Sequence, residues 1–139
     1  MLHILPDGDR RYRLVDGDGR EIGWIRGRAV RFLGFLSEED MVNAASKAWR
    51  ALRSVLAQSF GHTSAGKQSD KLRHVYDGAY EWIADGVIPI ARVFRSRNAA
   101  DPSLAIELVL PSYVDEALTK EAALSIARAL GQAPVTTGA

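Results

Sequence analysis

The sequence matches itself in three ordered blocks, and this self-similarity constrains the fold more than any single motif. Tyr12, Val15, Ile22, Gly23 and Ile25 align with Tyr80, Ile83, Ile90, Ala91 and Val93 at a constant offset of 68. Ala29, Val30, Arg31, Phe32 and Leu33 align with Ala105, Ile106, Glu107, Leu108 and Val109 at an offset of 76. Ala44, Ala45, Arg50, Ala51 and Leu52 align with Ala122, Ala123, Arg128, Ala129 and Leu130 at an offset of 78. Matches that keep both order and residue type predict one unit used twice.

Each unit reads as a strand meander followed by a helix. Arg11 to Val15 begins with the polar/apolar alternation of a half-buried strand. Asp16-Gly17-Asp18-Gly19 supplies the positive φ of a tight turn, Glu21 to Arg26 returns, and Ala29 to Phe35 follows across Gly27-Arg28. Leu2 to Leu5 is expected as a short leading strand, turned at Asp7-Gly8. Ser37 predicts a helix N-cap with Glu38, Glu39 and Asp40 on the positive end of the dipole. Met41, Ala45, Ala48, Trp49, Leu52, Val55 and Leu56 give that helix one apolar stripe up to about Phe60, where Gly61 closes it.

In the second half, residues 72 to 83 fit either a helix face or a hairpin turned at Asp77-Gly78. The alignment of Tyr80 to Ile83 with the first unit decides for strand. Val87 to Arg95 is the next strand, and its Pro89 predicts a sheet edge or a bulge. Ser96 to Ser103 is an extra polar loop, Leu104 to Leu110 the last strand, and a final helix starts near Asp115 or Thr119 and stops at Gly131 and Pro134.

A unit of about 50 residues buries too little surface to be comfortable alone, so two units must share a core. The expectation is an α+β fold: an internally duplicated antiparallel β-β-β(-β)-α unit, two units sharing one core with pseudo-twofold symmetry. Residues 1–60 form the first repeat, 61–71 a linker, 72–131 the second repeat and 132–139 a disordered tail, together one compact domain. One continuous sheet and two abutting sheets both satisfy this pattern.

No motif dictates a chemistry. Gly61-His62-Thr63-Ser64-Ala65-Gly66-Lys67 has the glycines and lysine of a phosphate loop, but Gln68 replaces the metal-binding hydroxyl and a helix precedes it, so it reads as linker. His3, His62 and His74 have no metal-ligand spacing, and the chain has no cysteine. Asp16 and Asp18 start like a calcium loop, yet Ile22 and Trp24 occupy later ligand positions. We expect no catalytic residue, metal or cofactor, and no enzyme. The N-terminal stretch lacks a signal-peptide pattern and no run is long enough to span a bilayer, so a cytoplasmic location without membrane contact is expected.

The residues most suited to recognition are arginines among aromatics. Arg10, Arg11, Arg13, Arg20, Arg26, Arg28 and Arg31 fall within 22 residues, interleaved with Tyr12, Trp24 and Phe32. Between the units Arg13 becomes Glu81, Arg31 becomes Glu107 and Trp24 becomes Arg92, all expected on outward faces. The candidate binding face is therefore Arg11, Arg13, Trp24, Arg26, Arg28, Arg31 and Arg92. The leading expectation is a binding module for a protein partner or a second copy of itself, using strand edges or the helix stripe with Trp49 and Phe60. One alternative is nucleic acid on the arginine-rich sheet of the first unit. Another is a small-ligand or enzyme pocket between the units, near Trp24/Arg92 and Tyr12/Tyr80.

Overall fold

The computed structural model describes residues 2–61, 72–96, 100 and 103–131. Four strands, β1 (His3–Pro6), β2 (Arg11–Val15), β3 (Glu21–Arg26) and β4 (Ala29–Phe35), lead into helix α1 (Glu38–Phe60). Four more, β5 (Leu72–Tyr76), β6 (Glu81–Asp85), β7 (Ile88–Arg95) and β8 (Leu104–Val109), lead into α2 (Glu116–Ala129). All eight strands form one antiparallel sheet in the order β1-β2-β3-β4-β8-β7-β6-β5. The fold class is α+β. The segments expected as linker and tail, His62 and the phosphate-loop lookalike, and most of the loop after Ser96 lie outside the described residues.

The local chemistry explains the element ends. Asp40 donates its N–H to Ser37 Oγ at 3.1 Å, and Leu118 donates to Asp115 Oδ1 at 2.8 Å, so each helix starts on a side-chain cap. Gly61 ends α1 with φ 67°. The disputed segment is extended: β5 and β6 pair from Leu72↔Asp85 to Tyr76↔Glu81. Their turn is closed by Asp77 Oδ1, which accepts the Tyr80 N–H at 2.9 Å. Asp16 Oδ1 does the same work in the first half, accepting the Asp18 and Arg20 N–H groups at 2.9 Å each.

Both helices cover the same face of the sheet. Leu14, Ile25, Val30, Phe32, Ile83, Ile106 and Leu108 point into one core with Met41, Ala45, Ala48, Ala122, Ala123, Ile126 and Ala127. The alanines let α1 and α2 pack close to each other and to the strands. The α1 stripe is therefore consumed by the core rather than left as an interface. Trp49 packs against that core, and Phe60 stays 39% exposed, edge-on to Tyr113.

Two of the sheet's three register slips depart from the alignment expected of the halves. Leu14 pairs with Gly23 and Val15 with Glu21, which leaves Ile22 as an extra residue. Ile83 pairs with Ala91 and Ala84 with Pro89, which leaves Ile90 extra. Pro89 thus sits at a bulge, where its missing N–H is tolerated. By register the Arg13/Trp24 pair of the first half matches the Trp82/Arg92 pair of the second. Arg13 and Glu81 thus lie on opposite faces of the sheet, and the expected Arg13-to-Glu81 reversal on outward positions does not hold. Glu81 lies on the helix side, with its side chain 7% exposed.

Gly23 marks the tightest approach in the sheet. A Cβ there would overlap the carbonyl oxygen of Arg31 on β4. Gly23→Ala is expected to lower stability by about 1–3 kcal/mol through forced strand separation. Urea unfolding checks this, and an unchanged midpoint would mean that the β3·β4 spacing is not tight.

Candidate interaction face

Register decides which side chains share the face opposite the helices. One row of directly opposed residues crosses the whole sheet: Leu5, Arg13, Trp24, Arg31, Glu107, Arg92, Trp82 and Val75. A second row adds Arg11, Arg26, Ala29 and Val109. Phe94, Ala105 and Arg73 belong to the same side. Among the described residues nothing packs over this face.

Its centre is an arginine held on three sides. Arg31 donates from Nε and Nη2 to Glu107 Oε2 at 2.9 and 2.5 Å. Its guanidinium lies 3.8 Å from the Phe94 ring centroid and 4.4 Å from that of Trp24. The side chains of Arg31 and Glu107 are only 21% and 12% exposed although no element covers them. The aromatic walls exclude water, and a charge-assisted pair between them is stronger than one in open solvent.

Further cations flank this centre. Arg26 lies 4.2 Å from the Trp24 centroid, and Arg92 lies 5.3 Å from that of Phe94. Arg13 donates Nε to Glu21 Oε1 at 2.8 Å. In all, the strands place Arg11, Arg13, Arg26, Arg31, Arg73 and Arg92 on this face against Glu21 and Glu107, six positive charges to two negative.

Six of the seven residues singled out in the sequence thus share one surface: Arg11, Arg13, Trp24, Arg26, Arg31 and Arg92. Arg28 does not. It sits in the β3–β4 turn, where its carbonyl accepts the Leu110 N–H at 2.8 Å. Of the residues expected around a pocket between the units, Tyr12 and Trp24 border one groove and Tyr80 and Arg92 border another. Trp24 and Arg92 are separated by β4 and β8, and Tyr12 packs on the helix side with Lys120 4.1 Å from its ring centroid. Its hydroxyl donates to Glu116, which holds the Glu116 carboxyl below the ordinary carboxylate range.

Sequence reading missed a second polar cluster, at the rim between β5, β6, β7 and the start of α1. Arg95 bridges Glu81 at 2.5 and 2.9 Å and Glu38 at 2.9 Å, while His74 Nε2 lies 2.8 Å from Glu81 Oε2 and Nδ1 3.7 Å from Glu38. The Arg95 guanidinium sits between the carboxylates, so the cluster is a brace. No group of acidic and histidine residues able to hold a metal ion occurs among the described residues, and no helix there is long and apolar enough to cross a membrane.

No known family model, curated protein or solved structure matches this chain.

The brace gives a pH signature. Hydrogen bonds from Arg95, reinforced by His74 and opposed by burial, hold the Glu81 carboxyl below its ordinary value of 4.5. The folded protein thus takes up this proton less readily than the unfolded chain. The resulting stabilisation is complete above about pH 4.5 and is lost as pH falls through the lower folded value. Glu81→Gln is expected to cost about 1–3 kcal/mol at neutral pH. The difference from the parent protein should shrink on acidification, and a pH-independent difference in thermal midpoint would contradict the assignment.

Proposed function

We propose that the protein is a non-enzymatic binding module that holds an acidic protein surface on its open sheet face. The observation that carries this reading is the charge of that face, where six arginines on the strands meet Glu21, Glu107 and the adjoining Asp7 and leave an excess of three positive charges. Among the described residues Arg26 and Arg92 have an aromatic neighbour but form no ion pair, so their hydrogen-bond donors remain available to a partner. Two copies meeting face to face would set arginine against arginine. The partner is therefore a different, acidic chain, met in the cytoplasm.

The nucleic-acid reading uses the same arginines but needs flat rings for bases. Trp24 is taken up by Arg26 and Arg31, and Phe94 by Arg31 and Arg92. Trp82 alone of the three rings makes no such contact among the described residues, and a single ring supports a run of stacked bases poorly, which favours carboxylates.

The same reading includes a duplicated ββββα unit with a twofold axis between Arg31 and Glu107. Three features support it. The element order occurs twice, the two register slips leave Ile22 and Ile90 at matching places, and the 76-residue offset pairs Arg31 with the residue that it directly opposes. Opposite charges there replace the like pair that an exact copy would create, and the exchanged Arg/Trp pairs leave both flanks basic.

An oligoglutamate peptide is the direct probe. It is expected to bind in a salt-sensitive manner and to perturb the NMR signals of the Trp24 and Trp82 indoles. Arg26→Ala and Arg92→Ala should each weaken binding about two- to fivefold, as loss of an exposed ion pair implies. Lys47→Ala, on α1, should change nothing. Binding only to oligouridylate, or binding insensitive to both arginine changes, would overturn the proposal.

A further inference from the structure

The corner of the open face built by β2 and β3 departs from the rest of the sheet. Arg11 and Arg26 are directly opposed across the two strands. Opposed side chains in an antiparallel pair start about 5 Å apart at Cβ, and like charges at that distance repel. Two other arginines of the face are answered, Arg13 by Glu21 and Arg31 by Glu107. Among the described residues neither Arg11 nor Arg26 has an ion-pair partner.

The corner is also held in shape. Arg10, just before β2, adopts φ 56°, a left-handed conformation that costs a residue with a Cβ. Its carbonyl accepts the Gly27 N–H at 2.9 Å, which ties the β1–β2 turn to the β3–β4 turn. That tie fixes the backbone on both sides of the Arg11/Arg26 pair. Beside the pair lies a groove of about 450 Å³, lined by Asp7, Arg11, Tyr12, Arg13, Glu21, Trp24 and Arg26.

We propose that this groove is a carboxylate-binding subsite, in which Arg11 and Arg26 grip one side-chain carboxylate of the partner while the Trp24 ring orients Arg26. The proposal rests on the reading of the open face as a surface for an acidic chain and names where that chain is anchored. Charge selects the ligand class. Three guanidiniums and the carboxylates of Asp7 and Glu21 leave the groove at +1, which one carboxylate neutralises. A phosphate monoester would bring close to two negative charges and overshoot. The carboxylate also relieves the repulsion between Arg11 and Arg26, so binding is coupled to local stability.

Arg11→Glu tests this without risking the fold, because it turns the like-charged pair into an opposite one. It is expected to raise the thermal midpoint of the free protein and to weaken oligoglutamate binding roughly tenfold, the loss expected when a charge-assisted hydrogen bond is removed. Oligoglutamate should also shift the Arg11 and Arg26 Nε–Hε signals. If Arg92→Ala weakens the peptide while Arg11→Glu leaves it unchanged, the subsite falls and the wider face reading stands. If the parent protein does not bind oligoglutamate at all, both fall. Inorganic pyrophosphate binding as tightly as the peptide, and lost in Arg11→Glu, would overturn the carboxylate assignment.

Discussion

The pairing of β4 with β8 is the constraint on which the rest of the structure depends. It joins two four-stranded meanders into one sheet, and each of its strands has a second neighbour, β3 or β7. On the helix side the seam buries Val30, Phe32, Ile106 and Leu108, each at most 1% exposed. These residues form the floor on which α1 and α2 meet. Without the seam each meander would present an apolar face too small to sustain a core.

On its other side the same seam sets the electrostatics. Alternation along a strand means that a register placing Val30 and Phe32 inward must place Arg31 outward, opposite Glu107. Trp24 and Phe94 close around that pair. The face is thus rigid at its middle and rich in uncompensated arginine toward its flanks. Its strand-borne side chains are positioned by the ladder rather than by loops, which lowers the ordering cost of meeting a partner.

Much of this was legible in the sequence because its signals are local. Asp-Gly steps marked the turns, Ser37 the first helix start and Asp115 or Thr119 the second, and period-two alternation the strands. The clustering of Arg11, Arg13, Trp24, Arg26 and Arg31 was legible too, since strands already read as adjacent carry them. The failures have physical causes. At each bulge two consecutive apolar residues obscure the period, so β6 was aligned one residue out and Glu81 was assigned to the wrong face. The brace of Arg95, Glu81, Glu38 and His74 joins residues up to 57 positions apart, and no local pattern reports such a contact. Arg28 was counted with the face by its place in the arginine cluster, although its position already read as a turn, and its carbonyl accepts the Leu110 N–H just after β8.

Native-state hydrogen exchange tests the seam most directly. Amides of β4 and β8 should exchange only through global unfolding, at one free energy matched by β3 and β7 and by the α1 and α2 residues packed on them. Edge strands β1 and β5 should exchange more easily. If β1–β4 and β5–β8 were protected at clearly different levels, with β4 and β8 exchanging separately, the halves would be independent units and the account of a single sheet built around its central pair would be contradicted.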